Sequence, residues 1–112
     1  MKVTIKRVYA PADKSDGTRI LIDRLWPRGL SKEAAQVDIW LKDIAPSTAL
    51  RKWFAHDPKK MEAFAEKYIL ELQQNPGPVN ELTQHMKKGK VTLLYGAKDA
   101  TCNHALVLQS FL

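Results

Sequence analysis

Asp23, Arg24, Trp26 and Arg28 crowd one carboxylate, two guanidiniums and an indole into a single short segment. Guanidinium groups bind phosphate and carboxylate through forked hydrogen bonds, and an indole offers a surface for a planar group. A second segment carries Tyr95, Lys98, Asp99, Asn103 and His104. There the ammonium is a mobile point charge, and the imidazole is the side chain suited to proton transfer near neutral pH.

The elements around these segments give them a common address. Ile20-Leu21-Ile22 and Val91-Thr92-Leu93-Leu94-Tyr95 are nearly continuous apolar runs, the pattern of strands buried on both faces of a sheet. Open α/β sheets bind ligands just beyond the carboxyl ends of their strands. If the two strands are parallel, Asp23-Arg24 and Tyr95-Lys98-Asp99 emerge on the same edge. The turn from Gly96 to Thr101 would then feed a terminal helix, whose first N–H groups also attract anions. In this arrangement Arg24, Arg28 and Lys98 hold an anion, and Trp26, Tyr95, Asp99 and Asn103 complete the binding surface. Asp23 or His104 moves a proton.

Each residue also has a plain structural reading. Asp23 and Arg24 can tie down loops, Trp26 can cover the end of the sheet, and Asp99 or Thr101 can cap the last helix. His56, beside Asp57-Pro58, reads as a helix-junction residue, and His85 as a residue on a polar helix face. Cys102 reads as a small buried side chain, although a helix N-terminus can activate a thiol.

Elsewhere the chain reads as a small three-layer α/β sandwich, a short parallel or mixed sheet flanked by helices, in one domain over 1–112. Strands are expected near 2–8, 19–25 and 90–95, the last two parallel and central. Ser31 can cap a short helical turn, and 37–44 has no clean period. Ser47 can cap a helix with the stripe Leu50, Trp53 and Phe54. Asp57-Pro58 starts a helix with Met61, Phe64, Ala65, Tyr68 and Leu72 on one face, ended by Asn75-Pro76-Gly77-Pro78. Val79, Leu82 and Met86 mark another, closed by Lys87, Lys88 and a left-handed Gly89. A packed helix over 102–112 completes the chain.

The composition excludes several classes. With 112 residues, 45% of them hydrophobic and 27% charged, the chain reads as an ordinary soluble domain. It has no apolar run long enough to cross a membrane and no signal-peptide core, and its one cysteine suits a reducing cytoplasm. Cys102, His56, His85 and His104 are too dispersed for a zinc pattern, and no glycine-rich nucleotide loop or nucleophile elbow is present. No metal or cofactor is implied. The formal charge of +6 favours anionic partners, but its basic residues are spread along the chain.

The string Asp23-Arg24-Leu25-Trp26-Pro27-Arg28-Gly29 resembles the hallmark of the YeaO-like branch of the domain-of-unknown-function 488 family. Trp40-x-Lys42, Pro46-Ser47-x-x-Leu50-Arg51 and Leu93-Leu94-Tyr95-x-Ala97-Lys98-Asp99, followed by Asn103-His104-Ala105, carry the same resemblance. It implies a compact cytoplasmic bacterial or archaeal α/β protein and brings no activity with it. Broader relatives carry Cys-His-Arg where this chain has Asn103-His104-Ala105, and a cysteine in place of Tyr95. That pattern suggests a thiol or metal role in those relatives; here only the histidine matches, and Cys102 stands one position early, which counts against carrying over a cysteine-based mechanism.

The functional expectation is a small phosphate- or carboxylate-bearing ligand held between the two strand ends, with acid/base chemistry as an extension. The alternatives are a nucleic-acid-binding module using net charge and exposed aromatics, or a protein-partner subunit anchored through Trp40 and Trp53.

Overall fold

The computed structural model describes residues 3–112. Four strands, β1 (Thr4–Arg7), β2 (Thr18–Leu21), β3 (Ile39–Trp40) and β4 (Val91–Tyr95), form one sheet in the order β1-β4-β2-β3, with every pair parallel. The two apolar strands are central, as their sequences require, and Ile20 lies opposite Leu93. The expected strand near 2–8 is the shorter Thr4–Arg7; Met1 and Lys2 lie outside the described residues. β2 ends at Leu21, although the Ile22 N–H still donates to the Leu94 carbonyl at 3.0 Å. The undecided stretch contains β3 and a 3-10 turn over Lys42–Ile44.

Five helices accompany the sheet among the described residues: α1 (Lys32–Ala35), α2 (Thr48–Phe54), α3 (Met61–Gln73), α4 (Pro76–Lys88) and α5 (His104–Phe111). The capping logic holds at three starts. Ser31 accepts from the Ala34 N–H, Ser47 from the Leu50 N–H, and Asp57 from the Lys59 N–H ahead of α3. α4 begins at Pro76 itself, because a proline at the first helical position loses no hydrogen bond. Gly89 ends that helix in an extended rather than left-handed conformation (φ 161°). The cap of α5 is Asn103, not Asp99 or Thr101; its Oδ1 accepts the Leu106 N–H at 3.0 Å.

Alternation along the strands divides the side chains between two unequal layers. Ile20, Ile22, Val91, Leu93 and Tyr95 face the main core, with Phe54, Phe64, Tyr68, Leu72, Leu82 and Leu108 from the helices. Leu21, Leu94 and Val8 face a thin layer of Ala35, Trp26, Leu30 and Val37. Trp53 leaves the expected apolar stripe. It is 39% exposed, and the Lys60 and Lys67 ammonium groups stand 5.1 and 5.2 Å from its ring centroid.

The amino-terminal edge of the sheet is closed by ions. Asp16, 6% exposed, is paired with Lys6 at 3.1 Å and with Arg19. Arg19 also donates to the Ala35 and Gln36 carbonyls at 2.8 and 2.9 Å, so its buried charge is fully engaged. Gly17 permits this turn: at φ 68° a Cβ would collide with the Lys90 carbonyl.

Candidate functional site

At the opposite, carboxyl edge lies a cavity of about 530 Å3, within the range that holds small ligands. Segments following all four strands contribute to its lining. Asp23, Arg24, Leu25, Trp26 and Pro27 follow β2; Gly96 and Ala97 follow β4; Asn103 and His104 open α5. Tyr9 follows β1, while Ala45, Pro46, Arg51, Lys52 and Phe54 come from the segment between β3 and the end of α2. Phe64 and His56 complete the wall.

Its polar floor joins the two central strands. The Gly96 N–H donates to Asp23 Oδ2 at 2.8 Å. Nε2 of His104 is 3.1 Å from the Ile22 carbonyl and 3.2 Å from Asp23 Oδ1. The alignment serves the carbonyl, leaving Asp23 Oδ1 buried and without a well-formed hydrogen bond among the described residues. The imidazole is thus oriented through Nε2, and Nδ1 is the nitrogen left for other partners. Tyr68 meets the His104 ring edge-on at 6.1 Å and donates to the Ile44 carbonyl at 2.7 Å; burial pushes its phenol pKa far upward.

Three aromatic donors pin the loop after β2. Trp40 Nε1 donates to the Asp23 carbonyl at 2.8 Å, Trp26 Nε1 to the Leu30 carbonyl at 2.7 Å, and the Tyr9 hydroxyl to the Arg28 carbonyl at 2.8 Å. The Trp26 and Trp40 rings meet edge-to-face at 5.5 Å. The Arg24 guanidinium turns toward the start of α2, where Nη2 donates to the Ala45 carbonyl at 3.0 Å and Nε to the Pro46 carbonyl at 3.4 Å.

The cavity brings together Asp23, Arg24, Trp26, Asn103 and His104 from the expected set. Arg28, Tyr95, Lys98 and Asp99 are not among its lining residues. Tyr95 is buried in the main core, and Arg28 and Lys98 are exposed. Asp99 accepts from the N–H and hydroxyl of Thr101, both at 2.8 Å; the N–H bond foremost holds its carboxyl below the usual carboxylate value. Asn103 uses both ends of its amide, since Nδ2 donates to the Asp99 carbonyl at 2.8 Å while Oδ1 caps α5. Cys102 is buried with its Sγ 3.9 Å from Met61 Sδ, and burial raises its thiol pKa. That is the opposite of an activated nucleophile.

The cavity lining also takes in Arg51, Lys52 and His56, none of which the sequence places in the ligand set: His56 reads as a helix-junction residue, and Arg51 enters only through the family resemblance. They lie on and just after α2, remote in sequence from both strand ends, and no motif there suggests a ligand. The one available signal was their basic character next to the Asp57-Pro58 helix start.

No helix among the described residues is long and apolar enough to cross a membrane. The family model described as "Inactive DUF488-N3 subclade" matches residues 2–112. The uncharacterized protein YeaO of Escherichia coli K12 is 49% identical over 112 residues, covering 100% of this chain and 97% of its own length. The uncharacterized protein Rv3073c of Mycobacterium tuberculosis H37Rv is 38% identical over 111 residues, covering 99% of this chain and 93% of its own. No solved structure matches. The chain therefore belongs to the DUF488 family, within the subclade described as inactive.

Proposed function

We propose that the cavity at the carboxyl edge of the sheet binds a small ligand carrying a phosphate or carboxylate, and holds it without turnover. The observation that carries this reading is the charge of the lining. Arg24, Arg51 and Lys52 supply three permanent cations against the single carboxylate of Asp23. Apolar walls of Leu25, Phe54 and Phe64 receive the rest of the ligand, and the Trp26 indole lies beside it. Arg24 contributes through Nη1, because Nε and Nη2 serve backbone carbonyls. Asp23 and Asn103 shape the floor, and His104 meets the ligand through Nδ1. Arg28 and Lys98, outside the lining, act only by attracting anions from a distance.

Two facts favour binding over catalysis. The matched subclade is described as inactive. Cys102, two residues before His104, is buried and its thiol is raised in pKa, so it offers no thiolate nucleophile. The Asp23–His104 pair in this reading is an orienting device.

Thermal melting in increasing inorganic phosphate, at ionic strength held constant with chloride, tests the proposal. Ligand linkage gives about 2.7 kcal/mol of stabilisation at a hundredfold excess over Kd. That corresponds to a rise in Tm of the order of 10 °C for a domain of this size. Arg51→Ala and Lys52→Ala should each reduce the rise. Wild type and both variants responding identically, or wild type not responding, would overturn the proposal.

A further inference from the structure

The backbone at the end of α2 is unusual. Ala55 has φ 47° and His56 follows at φ 56°, two consecutive side-chain-bearing residues in the left-handed region. Helices commonly stop through one left-handed residue, usually glycine, because a Cβ there crowds the next carbonyl. Here the first stop residue is alanine, whose N–H donates to the Arg51 carbonyl at 3.0 Å. The second is histidine, and the Asp57 N–H donates back to the Phe54 carbonyl at 2.9 Å. The turn is therefore held from both sides in a conformation that glycine would adopt freely. Strained conformations of this kind concentrate at functional sites.

The strained turn puts His56 in the cavity wall with Arg51 and Lys52. Its ring lies 6.0 Å from that of Phe54, tilted by 52°, and Phe54 is itself fixed in the core. Arg51 and Lys52 stand on the helix before it, and Asp57 follows, its carboxylate engaged with the Lys59 N–H. His104 differs sharply, since its Nε2 is committed to the floor.

We infer that His56 is a ligand-contacting residue of this cavity, donating to the same anionic group as Arg51 and Lys52. Such a set of guanidinium, ammonium and imidazole donors suits a phosphate monoester, with three free oxygens, better than a carboxylate with two. This inference rests on the anion-binding reading and names its ligand class.

The experiment compares wild type, His56→Gly and His56→Asn by melting in inorganic phosphate and, separately, in acetate at matched ionic strength. Without added anion, His56→Gly should raise Tm by about 2–4 °C, because glycine relieves the turn. Asparagine tolerates the left-handed region and keeps the fold while shortening the side chain. Both variants should bind phosphate at least fivefold more weakly, and wild type should respond to phosphate far more than to acetate. A variant with unchanged phosphate affinity would overturn the contact while leaving the anion-binding reading in place. A lower Tm for His56→Gly without anion would make His56 a structural junction and overturn the inference as well. Failure of the underlying reading shows separately, as a wild type that does not respond to phosphate at all.

Discussion

Asp23 and Gly96 lock the carboxyl ends of the two central strands together, one oxygen of the carboxylate accepting the Gly96 N–H at 2.8 Å. Residue 96 has no side chain to push against this contact: a Cβ there would lie 2.9 Å from Asp23 Oδ2, and the carboxylate would have to move. Gly96→Ala should therefore displace the carboxylate and destabilise the fold by about 1–3 kcal/mol. Gly77, in the first turn of α4, has open space around its Cα. Gly77→Ala should be neutral or stabilising by about 0.5 kcal/mol. Urea titration of both variants checks the contrast.

Acid should weaken the other edge of the sheet. Burial opposes ionisation of Asp16, but the Asp13 N–H, Lys6 and Arg19 outweigh it and hold the carboxyl below its ordinary value of 3.8. The folded value thus lies below the unfolded one. Ionised Asp16 stabilises the fold above the unfolded value, and the contribution disappears as pH falls through the folded one. Asp16→Asn should cost about 3 kcal/mol at pH 7, through the unpaired buried Arg19, and flatten the decline below about pH 4. The loss stays partial, because Asp13 and Asp99 are lowered too and titrate in the same window. Stability measured from pH 7 down to pH 2 gives the comparison.

Cys102 should be a reporter of opening rather than a reactive group. Its thiol is buried and raised in pKa. A disulfide reagent should label it slowly in the native protein and rapidly in denaturant, with native labelling following the rate of local opening. Stoichiometric labelling within the mixing time of the native protein would contradict the packing around Met61.

Gln36 offers a control for backbone strain away from the cavity. It ends α1 at φ 47°, with its N–H on the Lys32 carbonyl at 3.1 Å. Gln36→Gly should stabilise the fold by about 0.5–1 kcal/mol and leave the melting response to phosphate unchanged.

Much of the fold was legible because its signals are local. The apolar runs of β2 and β4, the caps at Ser31, Ser47 and Asp57, and the stripe from Met61 to Leu72 each follow from neighbouring residues. β3 was not legible, since its two residues are a strand only by pairing with Ile20 and Leu21. The same limit applies to the cavity. Asp23 and His104 could be brought together by assuming parallel strands, but the direction of Arg24 depends on carbonyls at Ala45 and Pro46. The placement of Arg51, Lys52 and His56 depends on how α2 docks against the sheet, which no local pattern encodes.

The strand order has a consequence for how this protein is made. β1 and β2 are translated early, yet neither pairs with the other; β4 must slot between them, with Thr4 opposite Thr92 and Arg19 opposite the same Thr92. A nascent chain emerging from the ribosome therefore holds two unpaired strand edges open until Val91–Tyr95 follows. Such distant pairing folds slowly and leaves edges exposed to association in the meantime. Lys6, Arg7 and Arg19 in those early strands carry like charge, which opposes edge-to-edge pairing of two such chains.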